Sequence, residues 1–267
     1  MGCGYPRPVP QPFPPTNLPS KIPSRKRSRS PRASSSPKSP QSSPSRKPPK
    51  RGRRLLEFDR RFGRRFVAGV DEAGRGSLAG PLVVAGVLFD YELLRDHRCR
   101  PLAGLNDSKQ LTGEEREELF HGVVACAKSF TVRVVSSSEI DRNGLHRSNL
   151  EGMRSCLREL APPAEACLVD GFRLGPAAPA HTAVVDGDER SAAIAAASII
   201  AKVVRDRAMR RMDALFPAYG FSSHVGYITP RHSAVVRERG PSSIHRRSFQ
   251  ALCYLSPEEL AARLEEE

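Results

Sequence analysis

An α/β fold, a mixed sheet flanked by helices and preceded by a disordered N-terminal extension, is predicted by three observations. Short apolar runs bounded by turn residues recur through residues 55–267, with the near-continuous hydrophobic character of strands buried on both faces. Helical patterns with capping signals alternate with them. Three of the runs end in a carboxylate beside a glycine, where open α/β sheets place their chemistry.

Residues 1–54 contain 14 of the 24 prolines, 14 Lys or Arg and no Asp or Glu. Such a segment cannot bury enough apolar surface to offset its chain entropy, so it is expected to be disordered. The other 213 residues balance 29 Lys and Arg against 29 Asp and Glu, which leaves the net charge of +14 to the extension. They suit one domain with a sizeable core. Residues 66–70 (FVAGV) read as the first strand, delivering Asp71 and Glu72 to the sheet edge. The turn Gly74-Arg75-Gly76 follows, and its small residues leave backbone N–H groups open to a phosphate backbone. Residues 82–89 (LVVAGVLF) are a second buried strand paired with the first. Thr112 caps a helix with Glu114 and Glu115 in its first turn. Residues 130–135 (FTVRVV) alternate as a strand, and a helix around 149–160 stops at Pro162-Pro163. Residues 166–171 (ACLVDG) and 182–188 (TAVVDGD) repeat the opening pattern and deliver Asp170 and Asp188. Residues 191–212 then form a long Ala- and Ile-rich helix whose small side chains permit close packing on the sheet.

No run reaches the roughly 18 apolar residues needed to cross a bilayer, and the start lacks the basic-then-apolar order of a secretory signal. A soluble protein is expected. The six cysteines are dispersed with no C-x-x-C pair, which argues against a zinc site or a disulfide framework and for a reducing compartment. Cytoplasm is the expected location, or nucleus or organelle in a eukaryote. The basic extension needs only its charge to give weak, salt-sensitive affinity for nucleic acid.

Acidic residues meeting at one sheet edge repel one another and raise each other's pKa unless something positive lies among them. Carboxylate oxygens without nearby His or Cys suit Mn2+ or Mg2+ rather than zinc or copper. Two such ions about 3.5–4 Å apart would activate a water and stabilise a leaving oxygen in phosphodiester cleavage. The competing reading is that each aspartate only caps a turn.

The segments 69–81 (GVDEAGRGSLAGP), 105–111 (LNDSKQL), 168–171 (LVDG), 187–188 (GD), 196–206 (AASIIAKVVRD), 219–227 (YGFSSHVGY) and 244–249 (IHRRSF) resemble, in order, those of ribonuclease HII, the type 2 ribonucleases H. The resemblance implies a ribonuclease H-like fold and endonucleolytic cutting of the RNA strand of RNA–DNA hybrids. It also implies incision at single ribonucleotides in duplex DNA by a monomer. The family's four catalytic, metal-binding acids fall on Asp71, Glu72, Asp170 and Asp188. Its glycine-arginine-glycine loop, Gly74, Arg75 and Gly76, would approach the 2′-OH that separates ribose from deoxyribose, with Arg75 either touching substrate or bracing the loop. Tyr227 would lie against the sugar after the scissile junction, and Ser108 and Lys109 would contact phosphate. Asp107 could instead cap a helix. His224 is read as a proton-transfer group or a structural hydrogen bonder, and Asp206 as structural, paired with Lys202 and Arg210 at helical spacing. Two positions depart from the family, which usually carries lysine where Asp186 and Val225 stand. Both changes remove positive charge near a site for a polyanion, and Asp186 could add a carboxylate to the metal site. The alternative from another class is a catalytically impaired protein that binds hybrids without cutting them.

Overall fold

The computed structural model describes residues 50–106, 108–256 and 259. The extension therefore lies outside the described residues except for its last five, and these open the first helix, α1 (Lys50–Arg60). The expected boundary after residue 54 thus falls inside a helix. Leu55 and Leu56 are its buried apolar face, and the Gly52 N–H donates to the Ala103 carbonyl at 3.3 Å. Packing of that face extends the helix into a stretch whose composition reads as tail.

The strands β1 (Phe66–Ala73), β2 (Leu82–Asp90), β3 (Ser129–Val135), β4 (Ala166–Asp170) and β5 (Thr182–Val184) form one sheet in the order β3-β2-β1-β4-β5. β1 pairs antiparallel with β2 and parallel with β4, and β5 continues in parallel, so the sheet is mixed as expected. Helices α2 (Gly113–Cys126), α3 (Ser137–Asn143) and α4 (Leu145–Leu160) precede β4; α5 (Gly187–Arg190), α6 (Ala192–Leu215), α7 (Phe221–His224) and α8 (Pro230–Arg239) follow β5. Thr112 caps α2 with a capping box closed by Glu115, and the Ser191 hydroxyl caps α6.

Strand alternation divides the core between the two faces. Val67, Val83, Ala85, Val87 and Leu168 pack with α6, whereas Ala68, Val70, Val84, Leu88 and Val169 pack with Met153, Cys156 and Leu157 of α4. On the α6 side the approach is very close at Gly69, where a Cβ would stand 2.3 Å from the Ala193 carbonyl carbon. Among the described residues no helix is long and apolar enough to cross a membrane, and the described cysteines are free thiols.

Asp59 on α1 is fully buried and ties that helix to the core. Its Oδ2 accepts from the Tyr91 hydroxyl at 2.6 Å and the Ala193 N–H at 2.9 Å, at the start of α6. Burial pushes its carboxyl up to about 6, against the lowering effect of the Tyr91 hydroxyl. A carboxyl whose folded pKa is raised favours the folded state below its unfolded pKa, and that contribution is lost as pH rises through the folded value. Thermal stability is therefore expected to fall between about pH 4 and 6. Asp59→Asn should flatten that part of the curve, as melting temperatures of the two proteins across the range would show; equal slopes would count against it.

Candidate active site

The β1–β4 register sets the site. Val70 pairs with Val169, so one step further Asp71 and Asp170 stand side by side at adjacent carboxyl ends. Alternation directs both toward α6 and starts Glu72 off on the α4 face. β5 and its turn bring Asp188 to the start of α5, and the Gly187 N–H fastens that turn by donating to Asp170 Oδ1 at 2.7 Å.

Asp71 and Asp188 are buried, and so is nearly all of the Glu72 side chain. Burial, reinforced by the Glu72 and Asp170 carboxylates, holds the Asp71 carboxyl well above the usual range. Burial also raises Glu72 and Asp170; Arg75 opposes it at Glu72, and the Gly187 N–H does so at Asp170. The nearby cations are held loosely: Arg75 Nη1 lies 3.7 Å from Glu72 Oε1, and Lys109 Nζ lies 3.7 Å from Asp188 Oδ2. Glu72 Oε2 is buried with no hydrogen-bond partner. An all-carboxylate donor set, in which burial and neighbouring carboxylates raise Asp71, Glu72 and Asp170, together with an orphaned buried oxygen, fits a hard divalent cation. Among the described residues no three acidic, His or Cys side chains already converge on one point, so closing on an ion requires side-chain rotation.

Other residues singled out in the sequence surround these acids. Gly74 has φ +90°, and a Cβ there would lie 1.9 Å from Arg205 Nε, so only glycine fits. Around Gly76 a Cβ would meet nothing within 4 Å, which leaves the outer side of the loop open to a ligand. Arg75 takes a bracing position, reaching Glu72 and stacking 4.7 Å over the Phe172 ring. Tyr227 is bridged to Ser77 of the loop, with Lys202 Nζ and Arg205 Cζ each 5.3 Å from its ring centroid. Lys109 is largely exposed at the rim. Ser108 is buried instead of facing outward: its hydroxyl lies 3.0 Å from that of Ser198, which hydrogen-bonds Asp71. Asp107 lies outside the described residues, and the α2 cap belongs to Thr112.

His224 is structural, since its Nδ1 accepts from the Gly226 N–H at 3.2 Å and its Nε2 donates to the Tyr219 carbonyl at 2.9 Å. Asp206 pairs with Lys202 at 2.9 Å and with Arg116 at 3.8 Å. The expected Arg210 contact goes elsewhere, to Glu117 at 3.8 Å. Asp186 (φ 51°) and Val225 (φ 43°), the two departures from the family pattern, are the non-glycine residues with positive φ among the described residues. For a β-branched valine this conformation is strained. It is held by Gly226, whose carbonyl accepts from the N–H groups of Leu78 and Ala79 at 2.9 and 3.2 Å. The Asp186 carboxylate adds to the rise at Asp170.

Sequence reasoning missed the supports beneath the loop. Arg205 donates to the carbonyls of Pro81 and Ala79 at 3.0 and 3.2 Å. Arg246 donates to those of Gly80 and Arg75, both at 3.0 Å. Both guanidiniums are fully buried. Burial and then Arg205 push Arg246 down to about 9. Each lies in a motif segment, but an arginine on a helix or in a loop ordinarily reads as solvated, and only the tertiary structure shows otherwise.

A mixed sheet that gathers carboxylates beside a glycine loop, on this topology, defines a hydrolase of the ribonuclease H class. The family model described as Ribonuclease HII matches residues 68–252. The ribonuclease HII of Rhizobium johnstonii is 48% identical over 189 residues, covering 70% of this chain and 78% of the relative. The crystal structure of the ribonuclease H2 from Pyrococcus horikoshii OT3 is 26% identical, with TM-score 0.61, over 76% of this chain and 100% of that one. The RNase HII solved in complex with PCNA from Archaeoglobus fulgidus is 31% identical, with TM-score 0.58, over 70% and 96% of the two chains. This chain belongs to the ribonuclease HII family, and it is accordingly an endoribonuclease with ribonuclease H activity.

Proposed function

We propose that this enzyme cuts the RNA strand of RNA–DNA hybrids and incises duplex DNA on the 5′ side of an embedded ribonucleotide, using two Mn2+ or Mg2+ ions held by Asp71, Glu72, Asp170 and Asp188. The observation that carries the reading is the juxtaposition of Asp71 and Asp170 at adjacent strand ends beside the Asp188 turn, under a loop whose outer side is open. When bound, the ions supply charge for activating water and stabilising the leaving oxygen. The chain's own residues then bind and orient. Gly74 and Gly76 let backbone approach the ribose, and Arg205 and Arg246 hold that backbone in place from beneath. Tyr227, fixed against Ser77, would bear on the neighbouring sugar. Lys109, 3.7 Å from Asp188, would take a phosphate when the negative charge of Asp188 is otherwise satisfied.

Asp71, Glu72, Asp170 and Asp188 all belong to one chain, which supports action as a monomer; the cytoplasm is the location that goes with this reading. The test is an end-labelled duplex with one ribonucleotide, incubated with Mn2+, with Mg2+ or with EDTA beside an all-DNA control. A single metal-dependent cut on the 5′ side of the ribonucleotide is expected. Binding without cutting, or equal cutting of the control, would overturn the reading.

A further inference from the structure

Beside the acidic site runs a groove that the site itself does not use. One wall is the outer stripe of α1 and the turn after it, where Arg51, Arg54 and Phe58 of the helix and Arg61 just past its end recur at helical spacing; the other is Glu189 and Arg190 of α5. Arg190 stacks 5.2 Å over the Phe58 ring, which fixes its guanidinium at the groove. Glu57 pairs with Arg53 at 3.1 Å, and Glu189 pairs with Arg51 at 3.4 Å. Arg54 and Arg61 are exposed and have no ion-pair partner among the described residues. The surplus in the groove is therefore positive.

Its position is tied to the site at two points. Glu189 and Arg190 directly follow Asp188, and Arg51 Nη1 donates to Gln110, the neighbour of Lys109, at 3.2 Å. A polyanion seated at Asp188 and Lys109 thus meets α1 as it leaves. α1 also precedes the region matched by the family model, which starts at residue 68.

We propose that this groove is a second phosphate-binding track that grips the arm of a nucleic-acid duplex beyond the cleavage point, with Arg54, Arg61 and Arg190 as its contacts. The proposal rests on the reading of the chain as a nuclease acting on duplexes. Guanidinium forks suit paired phosphate oxygens, and each phosphate so neutralised adds about 0.9 to the salt slope of binding. An arm held on this track is less free to dissociate, so duplexes long enough to reach it bind more tightly than trimmed ones.

The experiment is fluorescence anisotropy of the full chain with a labelled ribonucleotide-containing duplex in EDTA, across a salt series. Arg54→Ala/Arg61→Ala should weaken binding of a long duplex about tenfold at low salt and flatten the slope of log K against log salt by about two. The deficit should vanish on a duplex trimmed along one arm. Lys128→Ala, an exposed cation at the opposite end of the sheet, should leave both quantities unchanged. A wild type that cuts the duplex while the double variant matches it in affinity and slope overturns the track alone. A wild type that binds no duplex overturns both readings. Loss of binding to polyglutamate with duplex affinity retained would assign the groove to an acidic protein segment and also overturn the track.

Discussion

Asp71→Asn is expected to abolish metal-dependent cleavage while leaving the protein folded and, without metal, more stable. Asparagine has the shape of aspartate and keeps an oxygen for the Glu72 N–H, which donates to Asp71 Oδ1 at 2.7 Å. What it removes is charge, in a place where burial and two neighbouring carboxylates already oppose ionisation. At neutral pH that charge destabilises the metal-free fold: a carboxyl with a raised folded pKa loses its contribution as pH rises through that pKa. The variant should therefore melt a few degrees higher in EDTA, on the order of 1 kcal/mol. On the proposed mechanism the same charge would hold the ions, a contribution of several kcal/mol to the transition state, so the rate should fall by on the order of a thousandfold or more. Calorimetry in EDTA and single-turnover cleavage read the two effects separately. A folded variant cutting at the normal rate would remove Asp71 from the chemistry.

Gly69→Ala is expected to cost about 3 kcal/mol or more, a large effect for a single methyl group. The added carbon would lie 2.3 Å from the Ala193 carbonyl carbon and 2.4 Å from the Ile194 nitrogen, both backbone atoms that no rotamer change can move aside. Either α6 lifts off β1 or the strand buckles. Both displace Ser198 from Asp71, so cleavage should fall with stability. Gly76→Ala is the contrast, because a Cβ there meets nothing within 4 Å. Its melting temperature should stay within a degree or so of wild type, whatever happens to substrate binding. Urea titrations of both variants decide the matter; a Gly69→Ala midpoint equal to wild type would show that the helix can yield.

Much of this was legible in the sequence because the responsible physics is local. Continuous apolar runs marked β1 and β2, alternation marked β3, and Thr112 with Glu115 marked the start of α2. Small residues after Ser191 announced a helix that packs tightly, and the repeated run-then-aspartate pattern marked the acids, although Asp188 stands in α5, past the end of β5, rather than at a strand end. α1 was hidden because its arginines continue the composition of the extension, while its buried residues are Leu55, Leu56 and Asp59. Arg205 and Arg246 were hidden for a different reason. Their burial depends on carbonyls of residues 75–81 brought near by pairing far along the chain, and nothing within a helical turn of either residue encodes it.

The parallel pairing of β1 with β4 has a consequence in time. β2 reaches β1 after a short connection and β3 reaches β2 once α2 has been made, but Val70 meets Val169 only when α3 and α4 have also been made and folded back. Contacts of such long range form slowly. A chain still emerging from synthesis can hold Asp71 and Glu72 on a formed β1–β2 ribbon with Asp170 and Asp188 absent, and in that state it has half a set of acids and no opposing strand. The four proposed metal ligands thus come together only when most of the domain has been made, so a partly synthesised chain is expected to lack a hydrolytic centre.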